Sequence, residues 1–182
     1  MAQVLLLDDF TRSDGLSALG TRWQGFTDRV MGGRSDMEVR RDDSEAGAVL
    51  RMRGTVRLEN RGGFIQARLP LAADDQVLDA TAWQGIRLKA RGRPGPWYLH
   101  LRSRHCRLPW QHYRARLKVN EDWRAPFVAF DDFAGKATWR GLDTSVLKSV
   151  AVVAYGEAFE AEIEVARIEL VSLAAAATGK RG

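Results

Sequence analysis

The strongest constraint on the fold is a two-residue alternation of apolar and charged or polar side chains in the middle of the chain. It runs through residues 86–91, 97–102 and 113–119. Because successive side chains of a strand point to opposite faces, each segment can bury one face and expose the other. The Gly- and Pro-containing stretches 91–96 and 108–109 separate the three segments and indicate turns. The pattern is typical of antiparallel sheets and predicts an all-β protein.

Other short apolar runs between turn residues predict further strands. They are Val4–Leu7, Trp23–Phe26, Ala48–Met52, Thr55–Leu58 and Phe64–Leu69. The continuous apolar run Val150–Tyr155 predicts a central strand that is covered on both faces. Helical patterning is confined to one turn at Thr144–Lys148, which Asp143 or Thr144 would cap. With no alternation of strands and helices, we expect an antiparallel β-sandwich or jelly roll.

The last predicted strand changes phase along its length. Phe159, Ile163 and Val165 share one phase, whereas Ile168 and Leu170 lie on the opposite phase. One extra residue near Val165-Ala166 would restore the facing, so we predict a β-bulge there or a strand that passes from one environment to another.

Length and composition limit the class of protein. A chain of 182 residues suits one domain, which we expect at residues 1–172, followed by a flexible basic tail at 173–182. The net charge of +5 comes mainly from arginines that are scattered singly, which disfavours a nucleic-acid partner. Cys106 is the only cysteine, so we expect a reducing compartment, the cytoplasm. No apolar segment approaches the ~20 residues of a membrane span.

The glycine-rich segment Asp28–Ser35 is the most informative turn. Gly32 and Gly33 permit positive φ and close backbone approach, and the side chains at its two ends can bind the amides of the turn. Two interpretations remain open: a tight connection whose Met31 packs into the core, or a binding loop. A phosphate-binding loop is disfavoured because no Gly-Lys-Ser/Thr follows and strands flank the turn.

A second turn at Asn60–Phe64 contains Gly62 and Gly63 and joins two predicted strands. Taken alone, it is best interpreted as a plain hairpin in which glycine supplies the unusual dihedral angles.

The polar faces of the strands around 87–91, 98–102 and 114–118 suggest a surface rich in arginine. If these strands are neighbours, Tyr98, His100, Arg114 and Arg116 share one face that could bind an anionic or protein partner. The structural alternative is that the arginines pair across strands with three glutamates of the last strand. Those glutamates are Glu160, Glu162 and Glu164.

The sequence offers little for catalysis or metal binding. His100, His105, Cys106 and His112 fit no zinc-ligand spacing, so we predict no metal site. The carboxylate pairs are adjacent residues that diverge on an extended chain, and no Ser-His-Asp or Gly-x-Ser-x-Gly signature occurs, so no catalytic residue is predicted. Sugar binding would need an exposed aromatic ring. The candidate rings are Trp83, Trp97, Trp110, Tyr113 and Trp139.

Several spaced motifs together resemble the complex I intermediate-associated protein family over roughly residues 10–170. The motif residues are Trp23, Asp28, Val30-Met31-Gly32-Gly33, Ser35, Gly54, Asn60, Gly62-Gly63-Phe64, Arg68, Gly85-Ile86, Arg91-Gly92, Tyr113, Trp123, Phe130, Phe133 and Gly141. The resemblance implies a galactose-binding-like β-sandwich, akin to carbohydrate-binding modules. It also implies a chaperone-like role in the assembly of respiratory complex I (NADH:ubiquinone oxidoreductase).

The resemblance and the turns give an expected function and site. We expect a non-enzymatic binding module without a cofactor, whose client is a protein such as a complex I subunit or assembly intermediate; the alternative ligand is a carbohydrate. The expected binding residues are Trp23, Asp28, Met31, Gly32, Gly33, Ser35, Asn60, Gly62, Gly63, Phe64, Tyr98, His100, Arg114 and Arg116. Since the chain shows neither a mitochondrial transit segment nor a long N-terminal extension, we expect a compact, bacterial-type member in the cytoplasm, peripheral to the inner membrane through its partner.

Overall fold

A computed structural model describes residues 3–173, and within them twelve strands form two antiparallel sheets of six strands each. The strands are β1 (Val4–Asp8), β2 (Gln24–Thr27), β3 (Asp36–Ser44), β4 (Gly47–Val56), β5 (Phe64–Pro70), β6 (Gly85–Gly92), β7 (Trp97–Ser103), β8 (His112–Leu117), β9 (Phe127–Ala129), β10 (Ala134–Lys136), β11 (Leu147–Tyr155) and β12 (Phe159–Val171). Short 3-10 helices lie at Asp28–Met31, Glu59–Arg61, Phe130–Asp132 and Thr144–Val146. The expected all-β sandwich is confirmed.

Strands that follow one another in sequence often belong to different sheets. The first sheet has the order β3-β4-β12-β6-β9, with β1 also paired to β12, and the second has the order β10-β8-β7-β11-β5-β2. The chain therefore crosses from the first sheet to the second after β1, β4, β6 and β9, and it returns after β2, β5, β8 and β11.

The core lies between the two sheets and is built by the predicted alternation. Ile86 and Leu88 of β6 and Leu99 and Leu101 of β7 are fully buried, as is Trp97. Their basic and polar neighbours in sequence face outward, so each of these strands contributes one apolar face. Burial of these large side chains supplies the main stabilising term of the sandwich.

Strand β11 is central in the second sheet, between β5 and β7, as its apolar run predicts. Val150 and Val152 face the core, whereas Ala151 and Val153 point to the opposite face and are nevertheless buried. Long side chains of β5 and β7 on either side cover these two small residues.

Three details differ from the sequence prediction. The predicted strands at 48–52 and 55–58 are one strand, β4, because Gly54 lets β3 approach closely; a Cβ at Gly54 would lie 1.9 Å from the carbonyl oxygen of Asp36. Strand β3 was missed because only Met37 and Val39 among its nine residues are apolar. The predicted helical turn is a 3-10 helix, in which the Asp143 side chain accepts a hydrogen bond from the Ser145 amide.

The predicted β-bulge is confirmed. The pairing of β12 with β6 shifts register between Val165 and Arg167, which leaves Ala166 as the extra residue. Ile163 before the shift and Ile168 after it are therefore both buried. The bulge lets one strand of thirteen residues keep its apolar side chains on the core.

Within residues 3–173, no helix is long and apolar enough to cross a membrane. Most of the tail expected at 173–182 lies outside the described residues.

Candidate functional site

The predicted site residues separate into two groups that lie in different places. Those of the two glycine-rich turns surround one buried carboxylate, that of Asp28. Tyr98, His100, Arg114 and Arg116 lie on the outward face of the second sheet.

The Asp28 side chain is fully buried and accepts four hydrogen bonds. Ser35 donates both its amide, at 2.9 Å, and its hydroxyl. The amides of Gly63, at 2.5 Å, and Phe64, at 3.4 Å, donate from the other turn. These donors replace the water that the carboxylate loses on burial.

This cluster joins three segments that are distant in sequence. The hydroxyl of Ser35 also accepts a hydrogen bond from the Arg57 amide, at 2.9 Å, just beyond β4. The turn after β2, the segment before β3 and the crossover from β4 to β5 are thus held at one point. We call this cluster of Asp28, Ser35, Gly63 and Phe64 the carboxylate lock.

The glycines around the lock have different physical roles. A Cβ at Gly33 would lie 2.4 Å from the Asp28 carboxyl carbon, and a Cβ at Gly62 would lie 2.5 Å from its Oδ2. Close approach therefore requires glycine at both positions. Gly32 instead ends the 3-10 helix in the left-handed region, at φ 87°, with open space around it.

Burial and hydrogen bonding act in opposite directions on the ionisation of Asp28. Burial alone would raise its pKa, but the hydrogen bonds from Ser35, Gly63 and Phe64 outweigh burial and lower the pKa below the ordinary value. The carboxylate is therefore ionised at neutral pH.

The structure corrects one prediction for each turn, the burial of Met31 in the first and the hairpin in the second. Met31 is 61% exposed, so it does not pack into the core. The segment at Asn60–Phe64 is a crossover between sheets rather than a hairpin, because β4 and β5 belong to different sheets. Asn60 itself has a positive φ of 56°. Trp23 donates from Nε1 to the buried Asp8 carboxylate at 2.9 Å and has a structural role.

The second group belongs to a face that we call the basic face. It consists of the outward side chains Arg68, Tyr98, His100, Arg102, His112, Arg114 and Arg116. The predicted arginine-rich surface is right for β7 and β8, which are paired, but wrong for the segment 87–91, because β6 lies in the first sheet. Arg68 of β5 was missed, since sequence alone does not show that β5 and β7 flank the same strand.

The two sheets differ in whether their arginines are paired with carboxylates. In the first sheet the arginines pair with carboxylates, as Arg87 does with Glu169 at 2.6 Å and Arg91 with Glu164 at 3.3 Å. The cross-strand pairing predicted as the alternative is therefore found there for Arg91 and Glu164. The six strands of the second sheet contain no Asp or Glu. Within residues 3–173, no ion pair involves the four arginines of the basic face.

Aromatic rings order these arginines. The guanidinium of Arg114 lies 4.9 Å from the centre of the Tyr98 ring and 5.6 Å from that of Tyr155. Arg116 lies 5.3 Å from the Tyr98 ring and donates to its hydroxyl at 3.2 Å. Arg68 lies 4.8 Å from the Phe26 ring. Such cation–π contacts hold the cations in place without neutralising them.

Two histidines lie at the centre of the basic face. The rings of His100 and His112 stack with their centres 4.1 Å apart, and the Nε2 atom of each is buried without a hydrogen-bond partner among the described residues. Burial, followed by the nearby His112, Arg114 and Arg68, lowers the pKa of His100 to about 2. Burial also lowers the pKa of His112. His100 is therefore neutral at physiological pH.

The other candidate residues are dispersed. Among the predicted sugar platforms, Trp97 and Tyr113 are buried in the core, whereas Trp110 is 60% and Trp139 fully exposed. The Nε2 atom of His105, which does not belong to the basic face, lies 3.4 Å from Oδ2 of Asp143. In the described part of the chain, no group of three or more His, Cys, Asp or Glu side chains could hold a metal ion.

Comparisons with known proteins address family and fold. A family model described as "Complex I intermediate-associated protein 30" matches residues 9–173. A search of curated proteins found no match. Among solved structures, the chain is similar to the family 11 carbohydrate-binding module of a cellulosomal cellulase of Clostridium thermocellum, with a TM-score of 0.72 and 15% identity over 93% of this chain and 95% of that one.

Two further structures have the same fold. The family 11 module of Clostridium thermocellum in complex with a β-1,3-1,4-mixed-linked tetrasaccharide gives a TM-score of 0.70 at 14% identity, covering 93% of this chain and 95% of that one. A family 30 carbohydrate-binding module of a cellulosomal cellulase of the same organism gives 0.60 at 14% identity, covering 83% and 91%. At these identities the similarity concerns the β-sandwich fold.

From the carboxylate lock we predict how much each neighbouring glycine contributes to stability. Gly33→Ala and Gly62→Ala should each lower the free energy of unfolding by at least about 2 kcal/mol, because the added methyl group displaces the Asp28 carboxylate from its donors. Urea denaturation measures the change. Gly32→Ala should cost only about 1 kcal/mol, the strain of a left-handed residue in open space. Equal losses at Gly32 and Gly33 would contradict the lock.

From the buried histidine pair we predict how the stability of the fold depends on pH. The pKa of His100 is lower in the folded state than the unfolded value of 6.5, so protons bind preferentially to the unfolded chain and stability falls as pH falls below 6.5. Between pH 7 and pH 5 the free energy of unfolding should fall by about 2 kcal/mol. Urea denaturation at both pH values measures this loss, and His100→Gln should reduce it. An unchanged pH dependence in that variant would count against the assignment.

Proposed function

The chain belongs to the complex I intermediate-associated protein 30 family, and on that basis we propose that it is a non-catalytic binding domain with a protein client. The client is a subunit or assembly intermediate of respiratory complex I, which the domain holds in a chaperone-like manner. The proposal includes a cytoplasmic location, peripheral to the inner membrane through this client.

The observation that carries the proposal is the basic face. It combines four arginines with Tyr98 and a neighbouring exposed Tyr155, and its strands contribute no carboxylate. Arginine and tyrosine are enriched at the energetic centres of protein interfaces, where their large, stiff side chains bury much area for a small loss of entropy. A face of this composition supports recognition of a protein.

The ordering of the face adds to this support. Arg102 donates to the carbonyl oxygens of Pro109, at 2.7 Å, and Cys106, at 3.1 Å. Arg114 and Arg116 are held against the same tyrosine ring. Side chains that are already ordered lose less conformational entropy on binding, so the face is organised for a partner before the partner arrives.

Affinity capture from the protein's own cells tests the proposal. The wild-type chain should recover complex I subunits or assembly intermediates, and Arg114→Glu/Arg116→Glu should recover at least about tenfold less, because each substitution places a carboxylate where the client meets a cation. Arg124→Glu/Arg140→Glu is the control, with the same charge change on exposed loops. A deletion strain that assembles complex I at the normal rate and yield would contradict the proposal.

A carbohydrate ligand is the second candidate. It is favoured by the fold shared with a module that was solved in complex with a mixed-linked tetrasaccharide, and by the exposed rings of Trp110 and Trp139. Sugars stack on such rings. Calorimetry with β-1,3-1,4-linked oligosaccharides separates the candidates. Binding that quenches tryptophan fluorescence and is lost in Trp110→Ala or Trp139→Ala would favour the sugar, whereas a protein client predicts no binding.

A further inference from the structure

Within the basic face, the pairing of strands places one row of side chains straight across the second sheet. From β2 to β10 the row is Gln24, Arg68, Ala151, His100, Arg114 and Ala134. The backbone positions of two arginines therefore flank those of a small residue and a neutral histidine.

Arg68 and Arg114 are the two cations of the face without a polar partner. In residues 3–173, neither side chain makes a hydrogen bond or an ion pair. Their guanidinium groups instead contact aromatic rings: Arg68 contacts Phe26, and Arg114 contacts Tyr98 and Tyr155. Burial and then the charge of Arg102 lower the pKa of Arg68, which remains a cation that has lost part of its water. An incoming carboxylate would restore the missing hydrogen bonds in bidentate geometry.

The placement of these two arginines specifies the ligand further. Their positions are separated by three strand-to-strand intervals, so their Cα atoms lie about 14 Å apart. The guanidinium of Arg68 lies over Phe26 of β2, whereas that of Arg114 lies over Tyr98 and Tyr155. One extended segment that crosses the strands can therefore present separate carboxylates to the two cations.

We propose that Arg68 and Arg114 bind two carboxylates of an extended acidic segment of a protein client that lies across the second sheet. This inference rests on the proposed function and names the chemistry that the client presents.

The geometry favours a peptide over other anionic partners. Arg68 is partly buried and lies beside the recessed Ala151, so a flat bilayer surface would meet the more exposed Arg116 and leave Arg68 unbound. A narrow extended chain reaches both arginines of the row.

The test uses the full chain and a twenty-residue peptide of repeated Glu-Gly-Ser-Gly, which places a carboxylate at every fourth residue of a flexible chain. In an NMR titration at low ionic strength, shifts should be confined to the basic face. The double variant Arg68→Gln/Arg114→Gln should bind about tenfold more weakly. The control Arg124→Gln/Arg140→Gln, with the same loss of charge, should bind as the wild type does.

Several results would overturn the inference. They are equal binding of the corresponding Gln-Gly-Ser-Gly peptide and an equal loss of affinity in the control variant. Binding of phosphatidylglycerol vesicles or polygalacturonate that depends on Arg68 and Arg114, without binding of the peptide, would also overturn it. If Arg68→Gln lowers the amount of folded protein, the single variant Arg114→Gln decides the matter.

The two proposals can fail separately. If the Arg68→Gln/Arg114→Gln variant still captures complex I subunits from cells, the acidic-segment inference is wrong and the proposed function stands. If the wild-type chain binds the acidic peptide through these arginines but captures no complex I subunit, the proposed function is wrong and the binding site stands.

Discussion

One buried carboxylate, that of Asp28, holds together the turn after β2, the segment before β3 and the crossover from β4 to β5. A buried charge is destabilising unless its hydrogen-bonding capacity is filled, and here the donors come from Ser35, Gly63 and Phe64. The turns thus have one mutual arrangement in which the charge is satisfied. Because β2 and β5 adjoin these turns, the position of one edge of the second sheet depends on the same contact.

The sequence could predict those parts of the structure that depend on residues close together in the chain. Alternation within a strand is a local signal, so the buried face of β6 and β7 and the bulge at Ala166 were predicted correctly. Sheet membership is not local. Nothing in the patterns of 86–91 and 97–102 shows that the first segment pairs with glutamates and the second with none. The requirement for glycine at position 33 is equally hidden, because it arises from contact with Asp28.

The candidate site was likewise predictable only where its residues lie on consecutive strands. Tyr98, His100, Arg114 and Arg116 were predicted to share a face because β7 and β8 are consecutive, and consecutive strands often pair. Arg68 joins them only through β11, which comes eighty residues later in the sequence and lies between β5 and β7. The glycine-rich residues that carry the resemblance to the family surround the buried Asp28 carboxylate, whereas the face that we propose for recognition lies on the second sheet.

The position of β12 has a consequence for how the protein is made. This strand is the last of the twelve described strands in sequence, yet it is the centre of the first sheet, paired with β4, β6 and β1. Until the ribosome has delivered residues 159–171, β4 and β6 each have an open hydrogen-bonding edge beside an incomplete core. Contacts of such long sequence separation form slowly. Until β12 has been made, the nascent domain is therefore exposed to wrong edge-to-edge pairing through β4 and β6.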